Sequence, residues 1–528
     1  MKKKNMKTTI KNIPSTAFLL LLMLIVFLLP GCSKFLDKDP TFIVKENYYK
    51  TEADVQAGLT GVYDILGKEE VYGSNLSVYL PISDEGVYYR SAYVTGLSVY
   101  NFDASESNVR ALWRYLYEGI ERANTLLYRI NEVQMDETVK KVTIGEAKFL
   151  RAYYYFLLVS HWGSVPLKTL PTASVTDVNI EGTPPKDIYA FVVSEMEAAE
   201  AMVKNINEYG YSGRVTRTAV QGILARVYLK MAGFPLNDVS KYDKALEWSG
   251  KVVHSSGYQH ALISDYAKLF KDMASDKYNI QESIWEVEFA GNRAADFEAG
   301  RLGNAIGIQC NDEAYGYSYG FIATTKRLYQ AYENTDLRRD WNIATYKYSY
   351  VNNKVTDSVY YAATDIENRH AAKYRRPYER VLPRNKNYTP INFPLLRYSD
   401  VLLMYAEAEN EVNGATAEAK AAVKQVRDRA KASDKSTAIG TKDDMRQLIR
   451  DERFRELAFE GIRKYDLIRW GIFQSNMKSL ASEIETSAPA AVRYMALAGK
   501  NVAERDLLLP IPIAEISLNN AIKQNPGW

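Results

Sequence analysis

Residues 145–166, GEAKFLRAYYYFLLVSHWGSVP, decide the predicted fold. They follow the 3.6-residue period of an amphipathic helix, with one apolar side. That side is formed by Ala147, Leu150, Tyr154, Leu157 and Leu158. Gly163 and Pro166 come directly after the periodic part and are helix stop signals. The sequence therefore predicts a long helix over residues 144–161 that ends in a sharp change of chain direction.

Further helices are predicted on both sides of this one, and most of them come in pairs. The predicted ranges are 51–66 with Thr51 as N-cap, 111–130, 184–204, 216–232, 242–253, 395–412, 416–430 and 442–473. Paired helices are typical of tetratricopeptide-like scaffolds, although the repeat of about 34 residues that marks these is not strictly present. The predicted fold class is mainly α: a tetratricopeptide-like helical-pair scaffold with long loops and short β-hairpins.

Two long regions, about 70–101 and 283–390, lack helical periodicity. The first is predicted to be loop and short strand. In the second, residues 283–289 alternate between apolar and polar and predict a strand, and residues 291–320 contain six glycines. Residues 329–388 are polar and rich in tyrosine, which indicates short hairpins. Loops of this length in a compact protein are usually functional or mobile, so we expect ligand contacts here.

The first 31 residues have the features of a bacterial lipoprotein signal peptide. Five lysines precede the apolar run 17–29, which has 13 residues and is shorter than the roughly 20 that span a bilayer. That length argues against an uncleaved membrane anchor. Gly31 and Cys32 then place a small residue before the cut and a thiol after it. We expect Cys32 to carry a diacylglycerol and a further acyl chain such as palmitate, with residues 32–40 as a tether. A plain secretory cut is the alternative, because Pro30 fits the lipoprotein pattern imperfectly.

Charge and cysteine content narrow the function classes further. Removing residues 1–31, which carry five lysines and no acidic residue, takes the formal net charge from +3 to −2. The mature chain therefore offers no basic patch for nucleic acid. Cys310 is the only other cysteine, so an acylated Cys32 would leave no disulfide within the chain. Stability must then come from a large core, in one large domain or two closely packed ones.

Three glutamates, Glu452, Glu456 and Glu460, recur four residues apart on one predicted helix. A glycosidase needs two carboxylates facing each other across a cleft, which neighbours on one helix do not provide. We expect a structural charge network instead, with partners among Arg450, Arg453, Arg455 and Arg463. None of the four histidines, His161, His254, His260 and His370, has a metal-ligand spacing. The sequence thus predicts no catalytic residue, no metal site and no cofactor.

Clustered loop tyrosines are the best candidates for ligand contacts. An aromatic ring can cover the apolar C–H face of a sugar, and a phenol, amide, carboxylate or guanidinium can bond its hydroxyl groups. The candidate rings are Tyr88, Tyr89, Tyr93, Tyr315, Tyr317 and Tyr319. The polar candidates, chosen by their proximity in sequence, are Asn75, Asp84, Arg90, Asn292 and Arg293. A single loop tyrosine is more often half-buried support than a ligand contact, so the prediction concerns the clusters.

Several stretches, in order along the chain, resemble the SusD/RagB family of Bacteroidetes outer-membrane lipoproteins. They are 35–40 (FLDKDP), 113–124 (WRYLYEGIERAN), 145–166, 395–409 (LLRYSDVLLMYAEAE), 451–470 (DERFRELAFEGIRKYDLIRW) and the tail 509–528 (LPIPIAEISLNNAIKQNPGW). The tail is the most specific of them. The resemblance covers nearly the whole mature chain.

The resemblance implies that residues 41–528 form one SusD/RagB-like domain with four tetratricopeptide-like units and an inserted ligand-binding region at about 70–101 and 283–390. It also implies a lipid-anchored protein on the outer membrane, facing the cell surface. Such a protein captures oligosaccharide and passes it to a SusC-like TonB-dependent transporter. Two alternatives remain open from the sequence: a peptide-capturing lipoprotein of the same fold, and a surface glycoside hydrolase.

Overall fold

The computed structural model describes residues 49–174, 178–291, 300–367 and 369–528. The predicted signal peptide, Cys32, the tether, Asn292 and Arg293 lie outside the described residues. The chain divides into two units, Met1–Tyr49 and Lys50–Trp528. All helices and strands of the described residues belong to the second unit.

Helices form the body of this unit. The longer ones are α1 Glu52–Tyr63, α2 Ser107–Arg129, α3 Glu137–Trp162, α4 Pro185–Glu200, α5 Arg217–Ala232, α6 Lys241–Val253, α7 Tyr266–Ala274, α8 Tyr398–Asn413, α9 Ala417–Arg429, α10 Lys442–Glu456, α11 Arg463–Arg469 and α12 Phe473–Ser487. Neighbours in sequence pack against each other: α2 on α3, α3 on α4, α5 on α6, and α8 on α9. The predicted mainly α class is confirmed.

Shorter helical turns connect these helices. They are Asp64–Gly67, Glu69–Gly73, Asn75–Tyr79, Leu97–Val99, Ile130–Glu132, Ile206–Tyr209, Leu302–Ala305, Lys326–Ala331, Arg339–Asn342, Arg376–Tyr378, Ala490–Ala496, Leu497–Asn501, Glu504–Leu507 and Ile513–Leu518. The turns within 69–79 lie in a region predicted to be loop and strand. None of the helices in the described part of the chain has the length and apolar composition needed to cross a bilayer.

Six short strands form three antiparallel pairs among the described residues. The strands are β1 Gly86–Tyr88, β2 Ser283–Val287, β3 Ile322–Thr324, β4 Tyr346–Val351, β5 Lys354–Tyr360 and β6 Phe393–Arg397. They pair as β1 with β3, β2 with β6, and β4 with β5. The strand predicted at 283–289 is confirmed as β2, and β4–β5 is one of the hairpins predicted within 329–388.

Helix α3, which contains the stretch that decides the fold, is buried more completely than predicted. From Phe149 to Val159 every side chain is buried, whereas the pattern predicted one buried side. The helix is covered by α1, α2 and α4 and also by Trp285 of β2. Its tyrosines tolerate burial because their hydroxyl groups find partners: Tyr154 donates to the carbonyl of Val62 at 2.6 Å, and Tyr155 to that of Lys168 at 2.8 Å.

Two predicted helix boundaries were wrong. The helix predicted over 395–412 begins only at Tyr398, because the residues before it form β6 and pair with β2. The helix predicted over 442–473 breaks after Glu456, where Phe459 (φ 63°) and Gly461 (φ 71°) adopt left-handed backbone conformations. In both cases a tertiary contact overrides a continuous helical pattern. The N-cap of α1 is confirmed, since Thr51 accepts a hydrogen bond from the Asp54 amide at 3.2 Å.

Candidate functional site

The pairing of β1 with β3 brings the two tyrosine-rich loop regions together. Gly86 lies opposite Thr324 and Tyr88 opposite Ile322, and the amide of Tyr89 donates to the carbonyl of Phe321 at 2.6 Å. A Cβ atom at Gly86 would lie 2.7 Å from Cγ2 of Ile322. The strands can therefore approach this closely only because residue 86 is glycine.

Six aromatic side chains from the two regions form a continuous row, which we call the loop ring surface. Its members are Tyr79, Tyr88, Tyr93, Tyr317, Tyr319 and Phe321, all half-buried. Tyr88 stacks on Phe321 with a centroid distance of 5.4 Å and an interplanar angle of 14°. Phe321 stacks on Tyr319 at 5.0 Å and 4°. The row therefore joins side chains from both predicted tyrosine clusters.

The remaining rings extend the row at its two ends. Tyr93 lies 4.3 Å and Tyr79 lies 6.5 Å from Tyr88, and Tyr317 lies 4.9 Å from Tyr319, measured between ring centroids. Phe321 and Tyr79 were not among the predicted site residues. Phe321 could have been found, because Tyr315, Tyr317 and Tyr319 already place an aromatic side chain at every second position and residue 321 continues that pattern.

Arg90 ties the two regions together. Its guanidinium donates to the carbonyl of Tyr89 at 2.5 Å, to that of Gly320 at 3.5 Å, and also to that of Tyr319. It lies over the Phe321 ring, 5.1 Å from the centroid, in a cation–π contact. Arg90 was predicted as a ligand contact, and this stays a prediction. The structure shows that it holds the row in position.

A cavity of about 200 Å³ lies beside the loop ring surface. Tyr88, Arg90 and Tyr93 line one side of it, and Tyr494 and Met495 line the other. The ring centroid of Tyr494 also lies 6.3 Å from that of Tyr89. The segment that carries Tyr494 and Met495 was not predicted to belong to the site, since it lies far along the chain and shows no loop signature. A larger groove of about 660 Å³ near Leu508 is not lined by any ring of the row.

Three phenols of the row, those of Tyr79, Tyr88 and Tyr93, keep their protons at neutral pH. Burial raises the pKa of Tyr93 to about 12 and raises the pKa of Tyr79 and Tyr88 above the usual value. A protonated phenol can both donate and accept a hydrogen bond. The surface therefore offers apolar ring carbons together with neutral hydroxyl groups, the combination that suits a sugar with an apolar face and a hydroxyl rim.

The other predicted site residues that the structure describes are not members of this row. The ring of Tyr89 meets His370 edge to face at 5.1 Å, and Tyr315 meets Tyr348 of β4 at 5.1 Å. Asn75 is buried and donates to the carbonyl of Asn108 at 3.1 Å. Asp84 is buried and accepts two hydrogen bonds of 2.8 Å from Arg463. Asn75 and Asp84 are thus held by the protein interior.

The three regularly spaced glutamates are buried in a charge network, as predicted. Arg338, Arg427 and Arg455 surround Glu452, and Arg338, Arg397 and Arg429 surround Glu456. Glu460 pairs with Arg397 and Lys373. Although burial alone would raise the pKa of Glu452, the guanidinium groups lower it to about 2. Glu452 therefore stays ionised, and all three carboxylates act as structural ion-pair partners.

Most of the predicted partners were wrong. Of the four arginines expected to bind these glutamates, only Arg455 does so. Arg453 pairs with Asp400 and Asp466, and Arg463 pairs with Asp84. Within the ranges described, no group of three or more His, Cys, Asp and Glu side chains is placed to hold a metal ion.

Two family models match the chain. The model of the SusD family matches residues 281–528, and a model described as starch-binding and associating with the outer membrane matches residues 34–229. The chain belongs to the SusD family, as the resemblance indicated.

Individual relatives and solved structures agree with this assignment. SusD-like protein P2 of Formosa agariphila is 26% identical over 535 residues, which cover 97% of this chain and 99% of the relative. The fold matches a SusD homologue from Bacteroides thetaiotaomicron with a TM-score of 0.85 and 26% identity, covering 92% of this chain and 98% of that one. It also matches a laminarin-binding SusD-like protein with a TM-score of 0.72 and 24% identity, covering 91% and 100%.

Proposed function

We propose that this protein is a cell-surface glycan-binding lipoprotein that captures oligosaccharide and passes it to a SusC-like TonB-dependent transporter in the outer membrane. The observation that carries the proposal is the loop ring surface, in which rings from both loop regions form one row beside a cavity. The descriptions of a starch-binding family model and of a laminarin-binding relative support a glycan as the ligand.

The row suits a chain of sugars better than a single one. A ring of the row with a free face can cover the C–H face of one sugar, and each phenol can bond a hydroxyl group. An aromatic contact contributes roughly 0.5–1.5 kcal/mol beyond the area it buries. Several weak contacts in a row therefore give useful affinity while still allowing release, which transfer to a transporter requires.

The site is organised before the ligand arrives. The β1–β3 pairing fixes Tyr88, and Arg90 holds the carbonyls of Tyr89, Tyr319 and Gly320. Binding then costs little ordering of the loops, so more of the contact energy remains as affinity.

An acylated Cys32 anchors the protein in the outer membrane, with the ring surface facing outward and ready to meet polysaccharide. The protein holds its ligand without cleaving it, because Glu452 and Glu456 are occupied by arginines and face no cleft.

Affinity electrophoresis in gels that contain starch, laminarin or other polysaccharides tests the proposal, followed by calorimetric titration with the glycan that retards the protein. We expect retardation by at least one glycan. Tyr88→Ala and Tyr93→Ala should weaken binding roughly 10-fold each, the effect of about 1.4 kcal/mol. The matched control is Tyr128→Ala, a tyrosine on α2 with 57% of its surface exposed, and its affinity should equal that of the wild type.

Two results would overturn the proposal. One is tight binding of peptides with no retardation by any polysaccharide. The other is product release from labelled oligosaccharide by the purified protein.

A further inference from the structure

A second set of aromatic rings lies on the β4–β5 hairpin and on the turn that packs against it. We call it the hairpin ring surface, and its members are Tyr315, Tyr346, Tyr348 and Tyr360. The centroid of Tyr315 lies 5.1 Å from that of Tyr348, Tyr348 lies 5.4 Å from Tyr346, and Tyr346 lies 6.1 Å from Tyr360. The sequence placed only Tyr315 among the ligand candidates.

The rings of this surface are not stacked in parallel. All three contacts are edge to face, with interplanar angles of 70°, 69° and 70°. In the loop ring surface, by contrast, Phe321 has Tyr88 and Tyr319 stacked in parallel on it. A sugar binds a ring through the ring's face. An edge-to-face contact covers a face of only one of the two rings, whereas a parallel stack covers a face of both, so more ring face remains for a ligand here.

Exposure supports a ligand contact at these rings. Tyr360 has 74% and Tyr315 has 39% of its surface exposed, whereas Tyr348 is buried and packs against Tyr315 and Tyr346. Tyr346 is half-buried. A large aromatic side chain that is mostly in water contributes little to the core, and exposed aromatic patches commonly mark binding surfaces.

The hairpin ring surface is held rigidly. Tyr346 and Tyr360 are a cross-strand pair. The buried carboxylate of Asp312 accepts hydrogen bonds from the Val355 amide at 3.1 Å, from Nζ of Lys354 at 3.1 Å and from the Ala314 amide at 3.0 Å. Asp312 thus ties β5 to the turn that carries Tyr315, and a fixed geometry favours ligand binding.

The two ring surfaces meet on one turn. Cys310 and Ser318 close this turn through mutual backbone hydrogen bonds of 2.9 Å and 2.8 Å. Tyr315 and Tyr317 both lie within it, separated by Gly316 alone, and Tyr317 belongs to the loop ring surface. The backbone of this one turn therefore joins the two surfaces.

We propose that the two surfaces bind one extended glycan chain, with Tyr315 and Tyr360 contacting sugars beyond those held by the loop ring surface. This inference rests on the proposed glycan-binding function. It assigns the ligand to long linear oligosaccharides, because a short one fills the loop ring surface and leaves the hairpin empty.

Calorimetric titration of the full chain with malto-oligosaccharides and laminari-oligosaccharides, from disaccharide to octasaccharide, tests this inference. Wild-type affinity should keep rising for chains longer than those that fill the loop ring surface. Tyr315→Ala and Tyr360→Ala should each weaken binding of the longest chains by roughly 2- to 10-fold, the scale of one aromatic contact. Binding of the shortest chains that bind at all should stay unchanged.

Control variants separate the possible outcomes. Tyr128→Ala should match the wild type at every length, and Tyr88→Ala should weaken binding at every length. If Tyr315→Ala and Tyr360→Ala match the wild type at every length while Tyr88→Ala loses affinity, the hairpin ring surface is not a contact and only this inference fails. If the wild type binds neither series at any length, the proposed function fails for these glycans, and this inference fails with it.

Discussion

Arg397 and Glu460 form a buried bidentate ion pair, with Nε–Oε2 and Nη2–Oε1 distances of 2.8 Å and 2.7 Å. Arg397 ends β6, and Glu460 lies in the break between α10 and α11. The same guanidinium also reaches Glu282 at 2.9 Å and Glu456 at 3.0 Å. One side chain therefore joins three parts of the chain that are distant in sequence.

Removing one partner of this pair should destabilise the protein strongly. Glu460→Ala leaves the buried ammonium of Lys373 without its carboxylate partner and removes one of the three carboxylates around Arg397. We therefore expect a loss of about 3–5 kcal/mol in the free energy of unfolding, measured by urea titration. The control is Lys424→Ala, which breaks an exposed ion pair with Asp428 and should cost no more than about 1 kcal/mol. Similar losses for the two variants would contradict the structural role of the network.

Glu85 should make stability depend on pH. Burial, with a smaller contribution from Asp84, raises the pKa of this carboxyl from 4.5 to about 8. The amide of Phe459 donates to Oε1 at 3.1 Å, whereas Oε2 has no hydrogen-bond partner among the described residues. In the unfolded chain the group loses its proton near pH 4.5, but in the folded protein it keeps the proton until about pH 8.

This difference in pKa makes the folded protein less stable as pH rises. Because the folded state binds the extra proton, stability falls as pH rises from about 4.5 to about 8 and is level above that. Glu85→Gln cannot ionise, so it should be more stable than the wild type above pH 8, by on the order of 1–4 kcal/mol. Thermal unfolding of both proteins across this range checks the prediction, and parallel curves would refute it.

Gly86→Ala should disturb the pairing of β1 with β3. The added Cβ would lie 2.7 Å from Ile322 and 2.9 Å from Phe459, and such overpacking typically costs about 1–3 kcal/mol. Glycan affinity should fall as well, since Tyr88 would shift relative to Phe321. Gly440→Ala is the matched control, because no atom lies within 4 Å of its added Cβ. Equal stability and affinity for the two variants would show that the close approach is unimportant.

Cys32→Ala should release the protein from the membrane. Without a thiol the chain cannot receive the thioether-linked lipid, and no other feature of the sequence predicts an anchor once residues 1–31 are removed. Cell fractionation with immunoblotting should find the variant in the soluble fraction and the wild type with the outer membrane. A variant that stays in the membrane fraction of cells lacking the transporter would disprove the lipoprotein signal.

Local patterns predicted most helices because helix formation depends on residues that are close together in the sequence. The N-cap of α1 and the strand β2 could be predicted for the same reason. The start of α8 could not, because residues 393–397 are drawn into β6 by pairing with a strand more than a hundred residues earlier. The break at Phe459 also serves distant contacts, namely those with Glu85 and Arg397.

The site was only partly predictable for a related reason. Tyrosine clusters in long loops identified four of the six rings in the row, but no pattern indicated that Tyr88 would stack on Phe321. That contact follows from the pairing of β1 with β3, two strands that are far apart in the sequence. Tyr494 and Met495 reach the cavity from a segment near the end of the chain. Likewise, the glutamates were predicted to be paired, but most of their arginines come from other elements.

The hydrogen bonds of Arg90 join residues from the first and the second half of the chain. Arg90 and the Tyr319 carbonyl that it holds are 229 residues apart. A nascent chain that has been synthesised only as far as α6 therefore contains three of the six rings of the loop ring surface, Tyr79, Tyr88 and Tyr93. The complete surface is therefore gained late, after the second half of the polypeptide has packed on the first. A half-length product, whether from premature termination or from proteolysis, lacks the complete ring surface even if its helices have folded.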